Sequence, residues 1–262
     1  MSAKKILVMG LPGSGKTYFS ERLVPKINAV HLNADKVREK FNDWDFSEEG
    51  RLRQSKRMSD LADEEIKNGN HVVADFVSPT KESREIFNPD IVIWLDTISE
   101  GRFEDTNKIF VAPEKFDFRI TSQNADYWSA YISKRILGTG WDSKSPTTQL
   151  LGRWQPWHEG HRALFERAIE KTGQVFLMIR DVQGVGDNPF DFESAAARIR
   201  EDLSDKFEED VDYKIQLVPN LVHITYGRTV GYKIEQEFLG EELESISATK
   251  KREELRERGE LT

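Results

Sequence analysis

The stretch KKILVMGLPGSGKT, residues 4–17, constrains the chain more than any other. Lys5–Met9 reads as a buried strand, and Gly10–Thr17 matches the pattern G-x-x-x-x-G-K-[ST]. A helix over Lys16–Lys26, interrupted by Pro25, is expected to follow. Gly10, Gly13 and Gly15, with Ser14 between them, let backbone N–H groups turn inward as a nest for anions. Lys16 adds a positive charge for β- and γ-phosphates, the Thr17 hydroxyl can bind Mg²⁺, and the helix N-terminus contributes its dipole. The bland alternative is a glycine-rich turn that merely contains a lysine. The apolar strand before it and the helix after it count against that. The loop implies a nucleoside triphosphate, without saying which reaction uses it.

The rest of the composition narrows the class. The chain has 262 residues, enough for two compact domains or one large one. No run approaches the ~18 apolar residues of a membrane span. The opening MSAKKILVMG leads directly into the glycine loop with no small-residue cleavage site, so it is read as a strand and not as a leader. There is no cysteine, which excludes disulfides and thiolate zinc sites. That suits a reducing compartment, and the expectation is a cytoplasmic protein. The net charge of −8 argues against general nucleic-acid binding but not against a local cationic site for a nucleotide. Nothing in the sequence specifies an oligomer.

Along the first half, strands and helices alternate. Val30–Leu32 is a short apolar run, His71–Phe76 and Asp90–Leu95 read as strands, and Glu49–Asn68 reads as a helix with Leu52, Met58, Leu61 and Ile66 at helical spacing. Asn124–Leu137 sets Tyr127, Trp128, Tyr131, Ile132 and Ile136 on one helical face, the pattern of a core-packed helix. Residues 138–147, GTGWDSKSPT, read as a linker. The pattern then restarts. Thr148–Gly152, Gln174–Arg180, Tyr213–Val218 and Val222–Tyr226 read as strands; Glu159–Thr172, Phe192–Leu203 and Lys250–Glu260 read as helices. The fold expected is α/β with two domains, a parallel sheet at 1–137 and a Rossmann-like unit at 148–262.

Residues 32–57, LNADKVREKFNDWDFSEEGRLRQSKR, follow the second strand. Leu32–Arg38 and Asp45–Arg51 resemble the D-G-D-x-V-R and G-F-S-x-E-D-R segments of adenylylsulfate (APS) kinases, and 75–84 resembles their F-I-S-P-x-x-x-x-R. Asn33, Ala34, Asp45 and Gly50 depart from those patterns. The resemblance implies a kinase in which Asp35 is the base near the acceptor hydroxyl. It also implies that Arg38 and Arg51 bind anionic groups, that Phe46 stacks on a ring, and that Phe76 and Ser78 lie by the acceptor. A phosphoryl transfer to an alcohol calls for such a carboxylate and such cations in any case. Asp35 would equally suit a helix N-cap. The family's basic lid segment is missing from 100–120, where Arg102 and Lys108 are the candidate cations. An APS acceptor therefore does not follow.

A second constellation lies at 152–161, GRWQPWHEGH. His158 and His161 are one helical turn apart at the start of the helix expected over Glu159–Thr172. Donors there, with the helix dipole behind them, can stabilise charge on an α-phosphate under in-line attack. A zinc pair would need further ligands, and His31, His71 and His223 show no metal spacing. A purely structural reading makes the tryptophans core and the histidines polar groups at a helix start. The stretch resembles the G-R-F-Q-P-x-H-x-G-H signature of the nucleotidyltransferase superfamily through Gly152, Arg153, Gln155, Pro156, His158, Gly160 and His161, with Trp154 for Phe. A second resemblance, to I-S-x-T-x-x-R, lies at Ile246, Ser247, Thr249 and Arg252. With Lys250, these would hold the phosphates that leave as pyrophosphate. NPF at 188–190 and YGRTVGY at 226–232 agree more weakly, and Arg228 is a candidate phosphate contact.

Together these resemblances imply a bifunctional enzyme. An ATP-dependent kinase acts on a small-molecule hydroxyl, and a nucleotidyltransferase moves AMP or CMP onto an anionic substrate with release of pyrophosphate. Mg²⁺ and ATP are expected, with CTP the alternative at the second site. Two other readings stay open at this point: sulfate activation by a sulfurylase-like domain with an APS kinase, and a nucleotide sensor with one domain silent.

Overall fold

A computed structural model describes every residue except 1, 226, 229, 230, 232, 241–245, 260 and 262. The chain divides into two compact units, Met1–Gly138 and Thr139–Thr262, each with its own parallel sheet.

In the first unit, five strands are hydrogen-bonded in the order β2-β3-β1-β4-β5. They are β1 (Lys5–Gly10), β2 (Ala29–Asn33), β3 (His71–Asp75), β4 (Ile91–Leu95) and β5 (Phe118–Ile120), and every pairing is parallel. Six helices accompany them: α1 (Lys16–Ile27), α2 (Ala34–Phe41), α3 (Glu48–Lys67), α4 (Lys81–Phe87), α5 (Glu104–Ile109) and α6 (Ala125–Leu137). The central strand is buried along its whole length, and its alternating side chains enter two different cores. Ile6 and Val8 pack with Phe19 and Leu23 of α1 and Ile132 and Ile136 of α6. Leu7 and Met9 pack on the other face with Met58 and Ala62 of α3 and Phe87 of α4. The unit is therefore a helix–sheet–helix sandwich, as the alternation of elements predicts. The aromatic stripe of α6 behaves as core, with Trp128 and Tyr131 partly buried against the first cluster.

One expectation here is corrected. Pro25 does not interrupt α1, which runs on to Ile27 and ends where the Asn28 N–H bonds Val24 O in a left-handed cap. In the last turn the missing proline N–H costs one bond, and the helix is about to stop anyway.

The second unit has β6 (Thr148–Gly152), β7 (Val175–Arg180) and β8 (Tyr213–Val218), parallel and in that order. Its helices are α7 (Glu159–Thr172), α8 (Phe192–Leu203) and α9 (Ala248–Glu257). Phe165 of α7 is fully buried, with Phe207 at 5.0 Å and Tyr213 at 5.7 Å between ring centroids. Within 138–147, Trp141 packs on Phe176 and its backbone N–H bonds Asp210 O, while the Gln174 amide donates to Thr147 Oγ1. The strand expected over Val222–Tyr226 does not form over 222–225, and Tyr226 lies outside the described residues. Val222 and Ile224 are both exposed, so the segment buries no face. Among the described residues no helix is long and apolar enough to cross a membrane.

Candidate functional site

At the carboxyl end of β1 the chain makes the turn that its glycines allow. Gly10 has φ +147°, and a Cβ there would lie 2.5 Å from the Leu95 carbonyl oxygen. Gly13 and Gly15 have φ of +96° and +94°. Only glycine adopts such angles at little cost. The Lys16 ammonium folds back over the turn and donates to Gly10 O at 3.1 Å and Leu11 O at 3.0 Å. Burial pushes its pKa down to about 8, against the pull of Asp75 and Asp35. The Ser14 hydroxyl oxygen is buried with no partner. A cavity of about 210 Å³ lies beside the turn, lined by Gly13, Ser14, Gly15, Tyr18, Thr97, Ser122 and Gln123 among others.

Asn33, at the end of β2, connects Thr17 to Asp75 at the end of β3. The Asn33 amide donates to Thr17 Oγ1 at 3.2 Å and to Asp75 Oδ1 at 2.7 Å, and His31 Nε2 lies 3.0 Å from Asp75 Oδ2. Parallel pairing sets Asn33 beside Asp75. The buried carboxylate of Asp75 was not singled out from the sequence. Its signal was there: an acid closing an otherwise apolar strand, HVVAD. A hydroxyl and a carboxylate are hard oxygen donors of the kind Mg²⁺ takes alongside phosphate oxygens. Thr17 and Asp75 therefore fit that ion.

Asp35 is not the N-cap of α2. Asn33 is, accepting the Lys36 N–H at 3.1 Å, and Asp35 stands exposed in the first turn. Arg38 is buried and donates to Asp43 O and Asp45 O at 3.0 and 2.9 Å, and burial lowers its pKa. Its guanidinium lies 4.6 Å from the Phe46 ring centroid. Arg51 is 5.8 Å from the same ring and bonds Phe46 O and Asp105. Phe46 itself is half exposed, so an aromatic face flanked by two cations is open to solvent. Phe76 and Ser78 are placed differently. Phe76 is a core residue against Phe87, and the buried Ser78 hydroxyl pairs with Ser83. Of the two candidate cations in 100–120, Arg102 reaches the glycine turn, 3.3 Å from where a Cβ on Gly13 would sit. Lys108 is exposed and pairs with Glu104.

In the second unit the turn after β6 is built on tryptophan packing. Trp154 has φ +54° and is buried, its indole donating to Met178 O at 3.0 Å. Its ring lies 2.6 Å from where a Cβ on Gly152 would sit, so a side chain at this strand end would force the indole to shift. The Gln155–Pro156 bond is cis. The Gln155 amide is spent on both backbone groups of Phe190, at 2.8 and 2.9 Å. Trp154 and Gln155 thus shape the turn from below, and NPF acts through its backbone.

His158 and His161 stack at the N-terminus of α7, ring centroids 3.7 Å apart. His158 is the N-cap, and its Nδ1 accepts the Gly160 N–H at 3.2 Å. In the neutral ring the proton then sits on Nε2, which is left as a donor. Burial lowers both histidines, His161 to about 3 with His158 adding to the effect. At neutral pH both are uncharged. His161 Nδ1 is buried without a partner.

The far motif docks onto this turn. Arg252, buried on α9, donates to Gln155 O at 2.8 Å and Thr249 Oγ1 at 3.2 Å, and pairs with Asp187. Ser247 caps α9 by accepting the Thr249 N–H, and Lys250 is exposed. Arg153 and Arg228 are exposed as well. Among the described residues no group of three or more His, Cys, Asp or Glu side chains is arranged to hold a metal ion.

Comparison with known proteins finds one family model and several solved structures. Residues 6–87 match the family model described as AAA domain. The APS kinase of Mycobacterium tuberculosis, in complex with AMPPNP and APS, is 20% identical, covers 52% of this chain and 98% of its own, and has a TM-score of 0.47. The shikimate kinase of Acinetobacter baumannii, in complex with shikimate, is 19% identical over 52% of this chain and 95% of its own, with a TM-score of 0.37. A gluconokinase of Sinorhizobium meliloti 1021 is 13% identical over 52% of this chain and 97% of its own, with a TM-score of 0.36. No curated protein matches the chain. The N-terminal unit is an α/β domain with a five-stranded parallel sheet and a phosphate-loop motif after its central strand.

Proposed function

We propose that the chain is a bifunctional enzyme of phosphorus-group transfer. One observation carries the reading. In each unit a short turn, residues 11–15 in the first and 153–158 in the second, joins the carboxyl end of a parallel strand to a helix N-terminus, β1 to α1 and β6 to α7. That is where α/β sheets bind phosphates.

In the first unit the turn and Lys16 hold the triphosphate. Mg²⁺ bound with it, at Thr17 and Asp75, would neutralise charge between the β- and γ-phosphates. Asp35 accepts the proton of the acceptor hydroxyl as its oxygen attacks the γ-phosphorus. Arg38, Arg51 and Phe46 hold an acceptor with an anionic group and a flat or apolar face. In the second unit the substrate's anionic oxygen attacks the α-phosphorus of ATP or CTP. The Nε2–H of His158 and the neighbouring His161 donate to the developing charge. Ser247, Thr249 and Lys250, on the helix that Arg252 anchors, receive the leaving pyrophosphate. The two steps make a natural sequence, since phosphorylating an alcohol creates the anionic oxygen that the transferase needs.

The test is turnover with ATP and CTP over a panel of alcohols and phospho-alcohols, reading ADP and pyrophosphate separately. Pyrophosphate that depends on His158 and ADP that depends on Lys16 support the reading. Tight nucleotide binding with no turnover in either unit would favour a sensor.

A further inference from the structure

We propose that Asn33 and His31 are positioning residues that make Asp75 the metal-side carboxylate of the kinase site, and that position 33 must be an amide because position 75 is an acid. The proposal rests on the kinase reading of the first unit and concerns how its phosphate end is built.

The argument starts from hydrogen bonds. Asn33 uses its side chain three times: Oδ1 accepts the Lys36 N–H, and Nδ2 donates to Thr17 Oγ1 and to Asp75 Oδ1. Its carbonyl oxygen is committed to the α2 N-terminus, which leaves the NH₂ group facing the hydroxyl and the carboxylate. Both carboxylate oxygens of Asp75 are thereby engaged, one by Asn33 at 2.7 Å and the other by His31 Nε2 at 3.0 Å. The carboxylate is almost wholly buried. A buried carboxylate needs such partners, and each oxygen keeps a lone pair for a cation. The chain His31–Asp75–Asn33–Thr17 therefore fixes the orientation of both groups that fit Mg²⁺. Asn33 does this with one amide, its oxygen on the helix and its nitrogen on the hydroxyl and the carboxylate. An acid there would set a second carboxylate against Asp75 within hydrogen-bond distance, with no donor between them. Asn33 is where this chain departs from the acid of the D-G-D-x-V-R pattern. With Asp75 beside it, the departure reads as the complement of a carboxylate carried on the neighbouring strand, not as decay of the site.

The experiment measures AMPPNP binding by titration calorimetry with and without Mg²⁺, so that no turnover is required. The proteins are the full chain, Asn33→Asp, Asp75→Asn, the double variant with both changes, and His31→Ala, with thermal melting of each. The unaltered chain should bind more tightly with Mg²⁺, and each single change at 33 or 75 should cut that gain ~10–100-fold. The double variant, with one acid and one amide exchanged between strands, should recover most of it, and His31→Ala should lose part of it. Recovery in the double variant is the outcome a merely structural role would not give. A single Asn33→Asp variant that keeps the full Mg²⁺ gain overturns the proposal, as does a double variant no better than the singles while melting like the parent. Absence of any Mg²⁺-dependent binding in the unaltered chain would instead overturn the kinase reading on which it rests.

Discussion

Arg252 donates a hydrogen bond to the backbone carbonyl of Gln155 at 2.8 Å, joining residues 97 positions apart. The contact joins the two motifs of the second unit. It also gives the turn that carries His158 a support outside its own strand and helix. Replacing Arg252 by Lys keeps the charge but loses the planar fork. We expect Arg252→Lys to lower pyrophosphate release by about 10²–10³-fold and to destabilise the second unit by roughly 1–3 kcal/mol. Pyrophosphate assay and thermal melting check this. Unchanged pyrophosphate release would mean that α9 is not part of the site.

His161 supplies a pH signature. Its folded pKa, about 3, lies below the ordinary histidine value, so below pH 6.5 the unfolded chain binds a proton that the folded chain refuses. The sign follows: the second unit holds its stability above pH 6.5 and loses it as pH falls from there toward 3. At one pH unit below the ordinary value the loss is about 1 kcal/mol. Urea melts from pH 7.5 to 5 measure it, and His161→Gln should remove much of the slope. An identical slope in the variant would assign it elsewhere.

Lys16 gives the opposite signature in the first unit. With its pKa near 8 in the free protein, the ammonium that phosphates need is lost as pH rises past that value. ATP affinity should fall above pH 8, and Lys16→Met should bind weakly at every pH. Calorimetric titration from pH 7 to 9.5 is the check. A flat profile in the unaltered chain would show that phosphate contact does not depend on this charge.

Gly152 tests the tryptophan-built turn. A methyl group there meets the Trp154 indole at 2.6 Å, and that ring is held by Met178 O below and packs edge-on to His161 at 4.9 Å. Gly152→Ala should cost roughly 1–3 kcal/mol by overpacking and should lower pyrophosphate release by shifting the histidine pair. Gly227→Ala, where a Cβ meets nothing within 4 Å, is the control and should be near neutral.

Much of this architecture is legible in the chain because it rests on local signals. The strand–turn–helix of each unit is written contiguously, as KILVMGLPGSGKT and TQLLGRWQPWHEGH, and the alternating elements imply parallel sheets. What sequence reading misses depends on register across the sheet. Asp75 matters because parallel pairing sets it beside Asn33, a relationship that no spacing between positions 33 and 75 announces. Ser122 and Gln123 line the cavity because β5 ends beside the glycine turn, and nothing in DFRITSQN advertises it. Trp154, Gln155 and Phe76 belong to the motifs, yet they are buried supports. A motif records which residues accompany a site, not which of them face the ligand. Residues 222–225 alternate like a strand, but alternation yields one only where a face is buried.

The central claim is that two independent catalytic sites reside in one chain. Its most direct test follows ADP and pyrophosphate in parallel for the unaltered chain, Lys16→Met and His158→Ala, with each unit's substrates supplied separately. The account predicts that Lys16→Met abolishes ADP formation and leaves pyrophosphate release from a preformed phospho-alcohol intact, while His158→Ala does the reverse. Loss of both activities in either variant, in a protein that still melts like the parent, would contradict it.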